Sequence, residues 1–536
     1  MSLKSTAEEA TAPPQKFKYE ETQDIASVYH RMDVIDAKKP DNFGTVAFAV
    51  CALSVPLWAT VLLPFTLVSS SINFLYYNLG KLFTPNLAAK EDATNTEDVS
   101  ETQDVINIIP REERKYDIVL FGATGFVGKL AVSYLAQQYG FKNDKVKWAI
   151  AGRSEKKIKA MLASIAKELG SDDILSKVDV IIADTSNRST LKGLVENTRS
   201  IASTVGPFQI YGSSLVEYCA KYGTHYADIT GEVPWNKEMM KLYEHTAQQT
   251  GAKIVSLCGH DSIPWDVTVR YLSNKLREEC DDQLCQVECL DEIVGGVSGG
   301  TLATVFESID RSVKDFQWDS LWKKDDSLDM YHRLHDGSES ENRVVSDLPS
   351  TISKCRNPSQ RFANKGCAPF FMAPINMEVA GRSVALSQQG SKQTVKYREA
   401  MVTENMMDAF VIWWGTILFG TAAINPLLLP ILKKILPSPG EGPSKSELED
   451  GFLCVTGYGI GEKGNAAESV LYFPHDGGYK STARMLVESS ICLAIDGNRH
   501  EHSAGGFYSP ASIMCDALLD RLVATGSSFA CKVCKK

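Results

Sequence analysis

A glycine loop constrains the fold of this chain more than any other feature. Glycines 122, 125 and 128 follow the short apolar run Lys115–Phe121, and Lys129–Tyr139 has the pattern of a helix. In such a strand–turn–helix unit the first glycine permits a tight turn. The second lets the backbone approach a pyrophosphate, and the third lets the helix pack on the strand. The free N–H groups and the dipole at the helix start favour the phosphates. We therefore predict an α/β fold with a Rossmann-type parallel sheet, and phosphate contacts from Gly122, Thr124, Gly125, Phe126, Val127 and Gly128.

The end of the next predicted strand indicates which dinucleotide is bound. Lys147–Ala151 reads as that strand, and Arg153 and Ser154 follow it. A site for NAD would place an acidic side chain here to hold the ribose 2′-hydroxyl, whereas a guanidinium suits the 2′-phosphate of NADP. The alternative is that these residues only begin a solvated helix. The pattern favours NADP over NAD as the cofactor.

Two further strand ends complete the predicted cofactor site. Asp184 ends the strand Val178–Ala183 and either meets the adenine or caps a helix. Gly206 and Pro207 follow the strand Ile201–Val205, where a turn would line the nicotinamide side of the site. In an open parallel sheet, ligands bind beyond the carboxyl ends of the strands, so all of these positions converge.

Length, charge and cysteine usage narrow the class of protein. A chain of 536 residues exceeds what one hydrophobic core usually supports, so more than one unit is expected. The net charge of −10 provides no basic field for a phosphate backbone, which argues against nucleic acid as a partner. Thirteen scattered cysteines favour reduced thiols on a cytosol-facing protein. Cys531 and Cys534 form half of a zinc motif without a second pair, so no metal site is predicted.

The amino-terminal part has an unusual distribution of charge. Residues 1–42 form a polar leader, residues 43–80 carry no charged side chain, and residues 81–115 form a polar linker. An uncharged run of this length predicts a membrane-embedded segment. Two arrangements are open: a single span over Phe43–Val68, or a hairpin that turns near Pro56 or Pro64.

A second hydrophobic stretch covers residues 409–432. Because the segments on either side are expected to belong to one folded unit, we predict that this stretch lies in a membrane interface and does not cross the membrane. A buried helix is the alternative.

The order of several motifs resembles the saccharopine dehydrogenase-like oxidoreductases, which include the mycobacterial trans-acting enoyl reductases. The resemblance extends from about Tyr116 to Val533 and is carried by Gly206–Gly212, Gly223–Glu232, Cys258–Asp266, Gly440–Pro443, Gly478–Ala483 and Gly505–Ala511. It implies an NADP-binding Rossmann domain over residues 116–260 and an inserted α+β substrate domain over 261–408. It also implies that residues 433–536 return to the core, that the substrate is lipid-related, and that animal members associate with lipid droplets. Phe208 and His260 depart from the tyrosine and phenylalanine that are common in this family.

The candidate catalytic residues are Tyr211, His260 and Asp261. Hydride addition to an activated double bond needs a proton donor, and His260 has the suitable ordinary pKa, although packing on the nicotinamide is equally compatible. Tyr211 is either a phenolic donor or a core aromatic residue. Asp261 either acts in catalysis or caps the helix that follows. Glu232 faces the substrate or is structural, and Cys258 reads as a small buried residue.

These observations predict an NAD(P)-dependent oxidoreductase on a membrane or lipid-droplet surface, such as that of the endoplasmic reticulum, with its catalytic part facing the cytosol. Its expected substrate is a lipid-linked acyl chain that carries an enoyl or carbonyl group. The alternative is a non-catalytic NADP-binding scaffold or sensor on a lipid surface. A true saccharopine-type enzyme would need a cluster of cations for a dicarboxylate substrate, and the sequence shows none.

Overall fold

The computed structural model describes residues 24–36, 108–141, 146–260, 262–306, 328–387, 392–438 and 440–536. The predicted membrane segment 43–80, most of the predicted leader and linker, and the candidate Asp261 lie outside the described residues.

The strands fall into two sheets. The described strands are β1 Tyr116–Phe121, β2 Trp148–Gly152, β3 Asp179–Ile182, β4 Thr198–Ser203, β5 His225–Asp228, β6 Lys253–Val255, β7 Leu284–Val294, β8 Arg343–Ser346, β9 Ser353–Lys354, β10 Gly366–Ala368, β11 Thr394–Thr403, β12 Phe452–Gly461, β13 Ala466–Phe473, β14 Gly506–Tyr508 and β15 Ser528–Cys534. The first sheet has the order β14-β6-β5-β4-β1-β2-β3 and the second has the order β15-β13-β12-β7-β11-β10-β9, with β8 also paired to β11.

Helices connect and cover these strands. The described α-helices are α1 Ile25–Asp36, α2 Phe126–Tyr139, α3 Glu155–Leu169, α4 Asp173–Lys177, α5 Arg188–Glu196, α6 Phe208–Tyr211, α7 Ser213–Tyr222, α8 Val233–Thr250, α9 Ile263–Cys280, α10 Ala373–Ala385, α11 Met406–Ile424, α12 Leu429–Ile435, α13 Lys445–Asp450, α14 Thr482–Ile495 and α15 Pro510–Ala524. A π-helical turn, Gly477–Ser481, directly precedes α14.

The first sheet is the predicted Rossmann sheet. All of its strand pairs are parallel, and from β3 to β6 they follow the order typical of dinucleotide-binding folds. Alternate residues of β1 enter two different cores: Ile118 and Leu120 face the helices α2 and α3, whereas Val119 and Phe121 face α5, α7 and α8. Strand β1 is uniformly apolar at these positions because both of its faces are covered.

The carboxy-terminal part of the chain contributes to both sheets. Strand β14 pairs with β6 at the edge of the Rossmann sheet, and β12, β13 and β15 belong to the second sheet. Helix α14 packs against the first sheet, α9 packs against the second, and α15 contacts both helices. We call the second sheet and the helices packed on it the second unit. It is built from residues on both sides of the stretch 409–432, and helices α9, α14 and α15 join it to the Rossmann sheet.

Close packing fixes α9 on the second sheet. A Cβ at Gly457 of β12 would lie 2.2 Å from Cγ2 of Thr268, so only glycine lets the helix approach to this distance. Near the start of α9, the indole N–H of Trp265 donates a hydrogen bond of 2.7 Å to Oδ1 of Asp291 on β7.

A buried carboxylate pair lies beside this indole. Asp291 and Glu399 come from the parallel neighbours β7 and β11, and both side chains are fully buried. Glu399 accepts hydrogen bonds from the Tyr397 hydroxyl and, at 2.8 Å, from Nδ2 of Asn376. Burial raises the pKa of Glu399 to about 8, and burial together with the nearby Glu399 carboxylate raises the pKa of Asp291 well above its usual range. The pair therefore holds a proton at neutral pH.

Helix α1 packs on the same sheet although it is separated from it by a long stretch of sequence. Met32 is fully buried there, and the Tyr29 hydroxyl lies 2.8 Å from Oγ1 of Thr456. The guanidinium of Arg361 stacks on the Tyr29 ring and pairs with Asp33 at 3.1 Å. The amino-terminal helix is thus part of the folded body.

Candidate cofactor and active site

The glycine loop has the geometry of a phosphate cradle. Gly122 has φ +95°, and a Cβ there would lie 2.6 Å from Oγ1 of Thr204. A Cβ at Gly128 would lie 2.3 Å from the carbonyl oxygen of Gly122, so both positions exclude side chains. At Gly125 a Cβ would meet only that same carbonyl, at 3.4 Å, which leaves the space above this residue open. No side chain caps α2, which begins directly after Gly125. These features fit a bound pyrophosphate, whose charge the first amides of α2 would hold.

The loop also contacts the end of β4. The hydroxyl of Thr204 donates a hydrogen bond of 3.0 Å to the carbonyl oxygen of Gly122. Gly206 and Pro207 follow two residues later, so the structure brings this predicted turn next to the phosphate loop.

Two residues that were predicted to contact the cofactor, Arg153 after β2 and Asp184 after β3, also lie near each other. Arg153 is exposed at the end of β2. Hydrogen bonds from Ser186 lower the pKa of Asp184, and the nearby charge of Arg153 adds to this effect. The Asp184 carboxylate accepts hydrogen bonds from the N–H and the hydroxyl of Ser186 in the turn before α5. The Ser154 hydroxyl accepts a hydrogen bond from the N–H of Lys157 at the start of α3. Asp184 and Ser154 therefore stabilise local turns, whereas Arg153 presents a cation where a 2′-phosphate would lie.

Three segments from the second unit and its connections meet over the glycine loop. The ring of Phe126 contacts the Tyr479 ring edge-on, with centroids 5.4 Å apart. A Cβ at Gly442 would lie 2.5 Å from the Phe126 ring. The Tyr479 hydroxyl accepts from the N–H of Ser298 and lies 3.0 Å from Oγ1 of Thr301. Residues 295–301, 440–443 and 477–481 thus surround the start of α2.

The position of Tyr479 depends on a buried carboxylate. Asp476 is fully buried, and its Oδ1 accepts from the N–H groups of Tyr479 at 2.7 Å and Lys480 at 3.4 Å. Burial raises the pKa of Asp476. Neither Asp476 nor Tyr479 was among the predicted site residues. The segment Gly478–Ala483, which carries part of the family resemblance, was the sequence signal that could have indicated them.

His260 lies on the other side of the same turn. Its backbone N–H donates a 2.9 Å hydrogen bond to Oγ1 of Thr482. Its ring packs edge-on against Trp265 at 5.2 Å and Phe370 at 6.3 Å, and a Cβ at Gly477 would lie 3.0 Å from its Cδ2. His260 is therefore buried among aromatic rings at the junction of the two units, close to the turn that reaches the glycine loop.

The other catalytic candidates occupy different environments. Tyr211 is 42% exposed at the end of α6, so it is not a core aromatic residue. Glu232 is structural, since its two carboxylate oxygens accept from the N–H groups of Phe208 at 3.0 Å and Gln209 at 2.8 Å. Cys258 is fully buried, and burial raises its pKa well above the usual range.

A cavity of about 1170 Å³ extends from the glycine loop. It is lined by Thr124 and Phe126, by side chains of α2 and α3 that include Lys129 and Lys157, and by residues 435–437 and 440–442. Among the described residues, no group of three or more His, Cys, Asp or Glu side chains could hold a metal ion.

Comparisons with known proteins define the class. Residues 118–255 match the family model of the saccharopine dehydrogenase NADP-binding domain. The fold also resembles the yeast (Saccharomyces cerevisiae) L-Glu-forming saccharopine dehydrogenase at 12% identity, with a TM-score of 0.43, over 78% of this chain and 99% of that one. The match to the NADP-binding family model, together with the reductase relatives described next, shows an NADP-dependent oxidoreductase.

Similarity over the full catalytic part identifies the family. The chain is 35% identical over 425 residues to a Mycobacterium tuberculosis protein whose name places it among the trans-acting enoyl reductases, covering 78% of this chain and 97% of that protein. It is 32% identical over 425 residues to a trans-acting enoyl reductase of Mycobacterium bovis, covering 77% of this chain and 97% of the relative. The chain belongs to the trans-acting enoyl reductase family.

The exposed guanidinium at the end of β2 provides a test of cofactor selectivity. We expect Arg153→Ala to weaken NADPH binding by roughly 10- to 100-fold and to leave NADH binding almost unchanged, because only NADPH carries the 2′-phosphate. Nicotinamide fluorescence titrations with both cofactors measure the ratio. Arg343→Ala is the control, since this arginine lies on β8 of the second sheet and its side chain is 43% exposed. An equal loss for both cofactors would contradict the assignment.

Proposed function

We propose that the protein is an NADPH-dependent enoyl reductase that acts on a lipid-linked acyl substrate at a membrane or lipid-droplet surface. The observation that carries the proposal is the cavity between the cofactor loop and an exposed apolar surface. The cavity is lined both by Thr124 and Phe126 of the cofactor loop and by Ile435 and Leu436 of the apolar region. An acyl chain supplied from a lipid surface could reach the cofactor site along this path.

The exposed apolar surface comprises four side chains around α12. Ile424, Leu427, Ile431 and Ile435 are 46%, 59%, 58% and 73% exposed, and we call them the apolar tip. They recur every three or four residues, and the basic Lys433 and Lys434 lie among them. Apolar side chains beside cations are typical of a surface that binds anionic lipid headgroups and the hydrocarbon beneath them.

The second sheet determines how this region can meet a membrane. Helix α11 is long and apolar enough to span a bilayer, and it is the one such helix in the part of the chain that the structure describes. However, β11 before it and β12 after α13 both pair with β7 in one sheet. A crossing would place two strands of this sheet on opposite sides of the membrane. The geometry therefore supports attachment to one face.

The same reasoning applies to the uncharged segment 43–80, which lies outside the described residues. On one side of it, α1 packs on the second sheet. On the other side, the described chain resumes at Ile108, and the Arg111 guanidinium donates a 2.8 Å hydrogen bond to the carbonyl oxygen of Gly223. Both flanks lie on one body, so an inserted segment between them would have to return to the side from which it entered. This consideration favours the hairpin over the single span. In the proposed arrangement the catalytic part faces the cytosol.

In the proposed reaction, NADPH supplies a hydride to the β-carbon of an enoyl group, and a proton is added to the α-carbon. The glycine loop and Arg153 would hold the cofactor. His260 and Tyr211 are the candidate proton donors, and the aromatic surroundings of His260 would keep water away from the reacting bond.

The activity is tested with purified full-length protein, NADPH and a long-chain trans-2-enoyl thioester in lipid vesicles. We expect enoyl-dependent loss of the NADPH absorbance and formation of the saturated thioester, detected by mass spectrometry. The saturated thioester is the control substrate. Cofactor binding without turnover on any enoyl substrate would contradict the proposal and favour a non-catalytic NADP-binding protein.

Surface attachment gives a separate prediction. We expect Ile431→Glu to reduce binding to vesicles that contain anionic lipid by roughly 10- to 100-fold, because one buried isoleucine contributes about 1.5–3 kcal/mol. Vesicle flotation measures the bound fraction. Leu242→Glu is the matched control, since Leu242 on α8 is equally exposed, at 55%, but lies outside the apolar tip. Equal flotation of the two variants would exclude the apolar tip as the lipid-binding surface.

A further inference from the structure

Two cysteines of the second sheet lie in direct contact at its edge. The Sγ atoms of Cys355 and Cys367 are 3.0 Å apart, closer than ordinary packing of two sulfur atoms. Cys355 directly follows β9, and Cys367 is the middle residue of β10, which is antiparallel to β9. Cys367 is fully buried, whereas Cys355 is partly exposed. One sulfur can thus be reached from solvent, and the second is held behind it.

Hydrogen bonding gives the two thiols different properties. The hydrogen bond between the two sulfur atoms lowers the pKa of Cys355 and raises the pKa of Cys367. The nearby guanidinium of Arg398 also lowers the pKa of Cys355, and it is held in place by Glu288 at 2.8 Å and by the Ser353 hydroxyl at 2.6 Å. The partly exposed sulfur is therefore the better nucleophile, since the thiolate is the reactive form.

We propose that Cys355 and Cys367 form a reversible disulfide site that hydroperoxides oxidise. The Cys355 thiolate attacks one oxygen of hydrogen peroxide, the O–O bond breaks, and hydroxide leaves and takes up a proton to form water. The Cys367 sulfur then attacks the resulting sulfenic acid, forms the S–S bond and displaces a second water. The two thiols together lose two electrons, and one peroxide gains them and is reduced to two waters.

The site lies where two distant helices pack on the sheet. Cys367 belongs to the hydrophobic cluster that includes Met32 of α1 and Phe362, and Arg361 in the same segment pairs with Asp33. Strand β10 also packs against α11, and a Cβ at Gly366 would lie 2.6 Å from the carbonyl oxygen of Asn405 at the start of that helix. A disulfide would close the segment between residues 355 and 367 and hold the surface on which α1 and α11 rest.

The test uses the full-length protein treated with hydrogen peroxide and then with two isotopically distinct alkylating reagents, before and after reduction. We expect Cys355 and Cys367 to lose reactivity together, to appear as one linked peptide, and to recover with dithiothreitol. In Cys367→Ser, a sulfenic acid at Cys355 should be trapped by a cyclic diketone. Cys534→Ser, which removes an exposed cysteine, should behave as the unmodified protein.

Because Cys367 is buried, the milder variant Cys355→Ser provides a second measurement. Its remaining thiol at position 367 should stay reduced at peroxide doses that oxidise the unmodified protein. The proposal would be overturned if both cysteines remained open to alkylation while Cys534 was oxidised, or if Cys367 were oxidised equally well without Cys355. None of these readouts depends on enoyl reduction, so the proposed enzyme activity and the disulfide can fail independently.

Discussion

Replacing Gly128 by alanine is expected to weaken NADPH binding by roughly a hundredfold or more, which corresponds to about 2.7 kcal/mol. The added methyl group would lie 2.3 Å from the carbonyl oxygen of Gly122 and 2.9 Å from the carbonyl carbon of Ala123. Both neighbours are backbone atoms of the loop, so they cannot move aside without displacing the N–H groups that would hold the pyrophosphate. The measurement is a nicotinamide fluorescence titration with the purified variant.

Gly193→Ala is the matched control for this prediction. Gly193 is in the middle of α5 in the same domain, and a Cβ there would meet nothing within 4 Å. Alanine is also the better helix former, so this variant should bind NADPH normally and be slightly more stable. Circular dichroism separates lost binding from lost folding. Unchanged affinity in a folded Gly128→Ala variant would show that the cofactor does not use this loop.

Replacing Glu399 by glutamine is expected to flatten the dependence of stability on pH. Burial raises the pKa of Glu399 from its usual 4.5 to about 8, so the folded protein retains a proton that the unfolded chain loses between these values. The free energy of unfolding therefore decreases as the pH rises through that window, by about 1.4 kcal/mol per pKa unit in the limit of an isolated group. Glutamine is neutral throughout, so the part of this decrease that Glu399 contributes should be absent, whereas the part from Asp291, whose pKa burial also raises, should remain.

Chemical denaturation at several pH values between about 5 and 8 tests the effect. Glu404→Gln is the control. Glu404 directly follows β11, the strand that carries Glu399, but its side chain is 68% exposed. The control should keep the pH dependence of the unmodified protein. If Glu399→Gln showed an equally steep fall, the proton would have to reside on another group, and Asp291→Asn would then be the next variant to measure.

The cofactor loop could be predicted from sequence because its determinants are local. The glycines at 122, 125 and 128, the apolar strand before them and the helix after them lie within one short segment. Local backbone geometry requires glycine at 122, where φ is +95°, and at 128, where a Cβ would lie 2.3 Å from the carbonyl oxygen of Gly122. The predicted strands also matched the observed parallel strands β1 to β4 to within a few residues. The family comparisons support NADP, the cofactor that Arg153 indicated.

The rest of the site could not be predicted because it depends on contacts between distant segments. Asp476 and Tyr479 reach the glycine loop from a turn more than 300 residues later in the chain, and no local pattern distinguishes them from ordinary loop residues. Glu232 and Tyr211 could not be assigned from residue type alone. Their surroundings show that the former caps α6 and that the latter is exposed.

By itself, the sequence determined the Rossmann sheet and predicted its cofactor loop at Gly122–Gly128, since a glycine requirement and an apolar strand are properties of neighbouring residues. Only the tertiary structure decided that β14 joins this sheet, that Asp291 and Glu399 share a buried site, and that the apolar tip adjoins the cofactor cavity. The physical reason is that burial, a shifted pKa and a shared cavity arise from groups that chain folding brings together.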